Sequence, residues 1–242
     1  MLENYSSAGK CSLLADSSSL SESYGNHFNR LREVYDRALN NHHFESLLVY
    51  SGEIKNRFQD DIQYPFFINL QFKAIVPLTN VAESWIIWRI SKKPLLLLYQ
   101  PETVWDAVAE MPDAFWSPYF EIVPFKNKED AKCYIGAAKY SAFLGERTEL
   151  TRSWELGQCN PESLIDELNW YRSYKTEYEQ RCIKEANRIS AKGHATARDA
   201  FFSGASELEI ALAFQSACQQ TEEQLSFSST IAINQHASIL HY

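Results

Sequence analysis

Two adjacent carboxylates, Asp60 and Asp61, lie between Phe58 and the aromatic run Tyr64-Pro65-Phe66-Phe67. Aspartate favours turns because its side chain accepts hydrogen bonds from nearby backbone amides. A carboxylate in such surroundings can equally hold a substrate ammonium group. Both readings stay open on the residues alone. His241 closes the apolar segment Ser238-Ile239-Leu240-His241-Tyr242, which reads as a strand cut off before any catalytic site is complete. A histidine there is either a structural hydrogen-bonder or a proton donor or oxyanion partner. The second role needs the rest of a pocket beside it.

Metal-assisted hydrolysis would need several carboxylates or histidines converging on one point. Asp166, Glu167, Glu177, Glu185, Asp199 and Glu207 fall mostly away from the apolar stripes, as on solvated helix faces. His194 and Asp199 would stand about 140° apart around a helix. His236 and His241, with an odd separation, would face opposite sides of a strand. HExxH, GxSxG, P-loop and GxGxxG patterns are all absent. The residues alone therefore give no complete catalytic constellation and no metal ligands.

The elements that would position these groups follow from composition and periodicity. The 242 residues are 45% hydrophobic and 22% charged, a balance able to bury a core. A net charge of -8 with scattered Lys and Arg argues against a nucleic-acid partner. Five cysteines without a CxxC pair fit reduced thiols in a cytoplasm better than a disulfide framework. The longest apolar block, Pro94–Tyr99, is strand-sized, so no membrane span is expected.

Residues 1–22, rich in serine, read as a flexible extension. Regular structure is expected from near His27, with a helical stripe through Phe28, Leu31, Val34, Tyr35 and Leu39. Strands are expected at Leu47–Tyr50, Phe72–Pro77, Ser84–Ile90, Leu95–Tyr99 and Glu121–Val123. Short helices are expected at Val104–Glu110, Lys128–Lys132 and Lys139–Leu144. After Gly157 the pattern becomes helical, with Asn160-Pro161 as N-cap and first turn, and capping boxes at Thr176/Glu179 and Ser206/Glu209 around a stop at Gly204. Thr230–Ile233 reads as a further strand. The composition places a domain boundary near 157–160, and the whole as an α/β protein.

With those residues in view, the chain resembles the bacterial Xaa-Pro dipeptidases (prolidases) and the related organophosphorus acid anhydrolases. The likeness runs through Ser51-Gly52, Asp60-Asp61, Tyr64-Pro65-Phe66, Asn69 and Gln71–Ala74. It continues through Tyr171–Thr176, Glu179, Glu185-Ala186, Gly193-His194, Ala197–Phe202 and Gly204. It ends with Ser206-Glu207, Ile231-Ala232, Asn234 and Ile239–Tyr242, so that it covers about Tyr24 to Tyr242.

The resemblance implies an N-terminal mixed-sheet domain (ribonuclease H-like, of the creatinase/prolidase type) over 23–158. Residues 159–242 would be the incomplete start of a pita-bread α+β catalytic domain. It implies a cytoplasmic homodimer that cleaves dipeptides with C-terminal proline, using two manganese ions. The family's five metal ligands follow the Ile-Leu-His-Tyr segment, so this chain is expected to bind no metal and to be inactive alone. Asp61 resembles the carboxylate that reaches into the partner subunit's site. Leu240 and His241 resemble pocket positions near the metals, with His241 the catalytic candidate. Phe227 takes a substrate-pocket position that is Tyr in relatives, so a hydroxyl is missing there. The alternatives are a non-catalytic peptide- or protein-binding pseudoenzyme, and a half that a second polypeptide completes.

Overall fold

The computed structural model describes residues 17–102 and 112–239. Packing divides the chain into two compact units, Met1–Tyr178 and Glu179–Tyr242.

The first unit is built on a six-stranded mixed sheet of order β4-β3-β2-β1-β5-β6. Its strands are β1 (Ser46–Tyr50), β2 (Trp85–Arg89), β3 (Leu95–Tyr99), β4 (Glu121–Phe125), β5 (Ser141–Leu144) and β6 (Gln158–Cys159). The pairs β1/β2 and β2/β3 are antiparallel, while β3/β4, β1/β5 and β5/β6 are parallel. The helices are α1 (Ser17–Asn41), α2 (Leu70–Ile75), α3 (Ala131–Ile135), α4 (Glu149–Arg152) and α5 (Glu162–Arg172).

Side chains alternate across a strand, so the near-continuous apolar runs of β1, β2 and β3 fill two cores at once. Leu47, Val49, Ile86, Trp88, Leu96 and Leu98 point to the face covered by α1, α2 and α5. Leu48, Tyr50, Trp85, Ile87, Leu97 and Phe143 point to the other face, against Ala131, Ile135, Trp154 and Leu156.

The structure changes several expectations. Helix α1 starts at Ser17, earlier than expected, because Leu20, Tyr24, Phe28 and Leu31 continue one buried stripe and Ser23 Oγ donates back to Leu20 O at 3.0 Å. Residues 1–16 and the expected helix at 104–110 lie outside the described residues. Within Phe72–Pro77 a helix forms instead of a strand: Asn69 Oδ1 accepts the Gln71 N–H, and Phe72 and Ile75 share the buried side. Within Lys139–Leu144 a strand forms instead of a helix, since Ser141–Leu144 is buried throughout and pairs with β1. Short apolar runs carry too little periodicity to separate the two states.

Asn160 is not the cap of α5. It takes a left-handed φ of 47°, and its amide exchanges two hydrogen bonds with the Gly145 backbone (2.9 and 3.0 Å). The helix starts one residue later, at Glu162, with Pro161 in the capping position. The composition change near 157–160 and the division at Tyr178 are different features. Helix α5 packs Leu164 and Leu168 into the first core, and Glu167 accepts from Asn41 Nδ2 (3.0 Å) and pairs with His42 Nε2 (2.9 Å).

The second unit consists mainly of α6 (Glu177–Phe202, beginning just before the division) and α7 (Glu207–Cys218). Ser206 and Glu209 form the expected capping box, and Gly204 takes a φ of 83° where the helix stops. The helices cross at Gly193, where a β-carbon would sit 2.5 Å from Cys218 Sγ and 2.7 Å from the Phe214 ring. Thr230–Ile233 is not in a ladder, and Asn234–Ser238 is a 3-10 helix rather than the start of a strand. A strand needs a neighbour to satisfy its backbone, and no strand lies among the described residues of this unit.

Candidate functional site

The acidic pair sits at the tip of an arm between β1 and α2. The arm leaves the sheet at Gly52, whose φ of 110° is open to glycine and strained for other residues. Arg57 N–H donates to Ile62 O (2.9 Å), and Tyr64 N–H donates to Lys55 O (2.8 Å). These bonds, with a bridge between Asn56 and Gln63, fold the segment into a small hairpin. At its tip Asp60 Oδ1 accepts the Ile62 N–H at 3.0 Å, which holds the Asp60 carboxyl below the ordinary aspartate range. The turn reading therefore fits Asp60. Asp61 beside it is exposed. Phe58 is 89% exposed, and Ile62 and Tyr64 are also open.

The root of the arm borders an open crevice of about 510 Å³ at the C-terminal ends of β1 and β5. Asn69 ties those two ends together: its Nδ2 donates to Tyr50 O (3.0 Å) and Leu144 O (3.2 Å). Glu53, Lys55 and Glu146 stand at the rim, and Lys55 Nζ reaches Glu146 at 2.9 Å. Crevices outside the C-terminal ends of parallel strands are common ligand positions in α/β sheets.

Behind Tyr50 lies a polar cluster centred on buried Glu83, with half-exposed Lys128 at its edge and no signature in the sequence. The Tyr50 hydroxyl donates to Glu83 Oε2, and Lys128 Nζ donates to Glu83 Oε1 at 2.6 Å. Burial, then the Glu83 bond, push the Tyr50 phenol far above its usual range, so it stays a donor.

In the second unit a separate cavity of about 410 Å³ is lined by His194, Phe214, Phe227 and Ile231, among others. Phe227 is 83% exposed, and His194 meets the Phe214 ring edge-on at 5.1 Å between centroids. Glu207 is more than a solvated helix residue. It accepts from Ile233 N–H (2.8 Å) and pairs with His236 Nδ1 (2.9 Å), fixing the segment after α7. His236 lies in the 3-10 helix, so its expected strand relation to His241 does not arise. Leu240 and His241 lie outside the described residues. Asp61 belongs to the first unit and Phe227 to the second. Among the described residues, no three His, Cys, Asp or Glu side chains converge as a metal site.

Residues 22–170 match the family model for the N-terminal domain of Xaa-Pro dipeptidase, and residues 181–242 match metallopeptidase family M24. The chain is 38% identical over 226 residues to an Xaa-Pro dipeptidase of Aeromonas hydrophila subsp. hydrophila, covering 93% of this chain and 51% of that protein. It is 37% identical over 227 residues to the Xaa-Pro dipeptidase of Cronobacter sakazakii, with the same two coverages. The chain thus spans about half the length of the curated relatives it matches.

Among solved structures, a Bacillus anthracis protein assigned as an aminopeptidase P superposes with a TM-score of 0.62 at 14% identity, over 90% of this chain and 57% of that one. A variant of Escherichia coli aminopeptidase P gives a TM-score of 0.55 at 13% identity, over 87% and 55%. These two likenesses speak for the fold, a mixed α/β architecture shared with pita-bread enzymes. With the N-terminal model filling more than half of its length, the chain belongs to the Xaa-Pro dipeptidase family.

Proposed function

We propose that this chain serves the hydrolysis of dipeptides that end in proline. It contributes the N-terminal domain (23–158) and the opening part of the metallopeptidase domain (159–242) to a cytoplasmic homodimer that uses two manganese ions. The observation that carries this reading is the 37–38% identity to Xaa-Pro dipeptidases, which runs through both units. In this reading Asp61, at the tip of the arm, holds the substrate ammonium group, and Phe227 and Leu240 line the substrate pocket. His241 is the catalytic candidate in this reading.

The metal ions would supply the activated water and the charge that stabilises the developing oxyanion. The described side chains do not fit such a centre, since no group of three donors converges. What these residues do provide is a rigid sheet, an acidic arm and an apolar cavity wall.

The test is a turnover assay with an Xaa-Pro dipeptide and Mn²⁺. A polypeptide of these 242 residues is expected to give no turnover alone. Mixed with the C-terminal half of the Aeromonas hydrophila relative, it is expected to gain turnover. Asp61→Asn is then expected to raise KM by about tenfold or more, the effect of losing one charge-assisted hydrogen bond. A folded chain that stays inert in the mixture but binds peptides would favour the non-catalytic binding module.

A further inference from the structure

We infer that Glu83 is a positioning residue: it fixes the direction in which the 53–67 arm leaves the sheet, and through it the place of Asp61. The inference rests on the proposed role of Asp61 in holding substrate.

Glu83 is 8% exposed and lies in the turn before β2 with a left-handed φ of 58°. That backbone region is cheap for glycine or asparagine and unfavourable for glutamate. A glutamate in that region with both carboxylate oxygens engaged points to work done by its side chain. The left-handed turn brings Glu83 N–H to Gly52 O at 2.7 Å, at the first bend of the arm. Next to it, Ser51 N–H donates to Ser84 O (2.9 Å) and Ser84 N–H donates to Ser51 Oγ (2.9 Å). The Glu83 carboxylate then takes the Tyr50 hydroxyl on one oxygen and Lys128 Nζ on the other. One residue thus bolts the arm's root by its backbone and the strand before that root by its side chain.

A second tie on the arm is weaker. Lys55 pairs with Glu146 at 2.9 Å, but their side chains are 54% and 77% exposed. Exposed pairs are screened and contribute little; Lys128 is itself 46% exposed, but the Glu83 carboxylate and the Tyr50 phenol are enclosed, and their charge-assisted bond resists loosening. The arm's aim is therefore set at Glu83 and not at its salt-bridged flank.

Trypsin supplies a direct readout, because Lys55 and Arg57 both lie within the arm. In Glu83→Gln, and to a smaller degree in Lys128→Gln, nicking after these two residues is expected to rise, about tenfold in the first, with the thermal midpoint of the first unit lowered by only a few degrees. In the reconstituted mixture Glu83→Gln should raise KM for the Xaa-Pro dipeptide with kcat little altered. Adding Asp61→Asn should give less than the product of the two single effects, since both act on one contact.

Should Glu83→Gln leave both nicking and KM at wild-type values while Asp61→Asn raises KM, Glu83 does not position the arm. A fall in thermal stability without arm-specific nicking would likewise assign it a general structural role and overturn the inference. Increased nicking with KM unmoved by either variant would uphold the positioning of the arm and instead remove Asp61 from the substrate site.

Discussion

The two units bury their apolar residues in different ways. In the first, both faces of the sheet are covered, and Trp85, Trp88, Phe72 and Phe143 are almost wholly enclosed. In the second, Ile210 and Cys218 are the buried hydrophobic residues among those described, while Phe201, Phe202, Leu208 and Leu212 are open to solvent. The first unit has a core of its own, and the second has a helix crossing. Local signals suffice for helices, but a core needs layers on both sides. All six tryptophans precede Tyr178 in sequence, so fluorescence reports on the first unit and far-ultraviolet circular dichroism on both.

Phe143→Ala should have the largest effect. Removing a ring that is 0% exposed costs about 3–5 kcal/mol. The tryptophan transition should move to lower denaturant, and an unmoved midpoint would contradict the two-sided core. Next comes Gly193→Ala, where the added methyl meets Cys218 Sγ and Phe214. Alanine is the better helix former by about 1 kcal/mol, but overpacking costs about 1–3 kcal/mol. The crossing is therefore expected to loosen. The helical signal should fall at lower denaturant while fluorescence stays in place, and joint movement of both signals would mean that the units unfold as one.

The smallest change is Ser206→Ala, which removes the cap of α7 and costs about 1 kcal/mol. The Ser206 amide and hydroxyl hold the Glu209 carboxyl below its ordinary value. A depressed carboxyl stabilises the fold above its unfolded value, and that contribution disappears as pH falls through the folded one. Titration of Glu209 followed by carbon NMR should give a midpoint below the usual glutamate range, rising toward it in Ser206→Ala.

Features written in short stretches of sequence were the legible ones. The block Leu95–Tyr99 reads as a strand because it is apolar on both faces, and Ser206/Glu209 reads as a cap because both partners lie within one turn. Asp60 reads as a turn for the same local reason. Ser141–Leu144 does not, because its identity as a strand depends on β1, 95 residues earlier. The Tyr50, Glu83 and Lys128 cluster is equally hidden. Its members are 33 and 45 positions apart, and only the sheet brings them together. Leu240 stands out only through the family resemblance, His241 also as a histidine closing an apolar segment, and both lie outside the described residues.

The parallel pairing of β1 with β5 also sets a timetable for synthesis. Ser46 must wait for Ser141, so one side of the central strand has no neighbour until 95 further residues have been made. At about 5–20 residues per second, that leaves an open, largely apolar strand edge for roughly 5–20 s on the ribosome. Antiparallel β2 and β3 arrive sooner and shield the other side. The β1–β2–β3 meander is thus the part of the sheet that can form first, and the nascent chain is most exposed to mispairing along the edge that β5 finally closes.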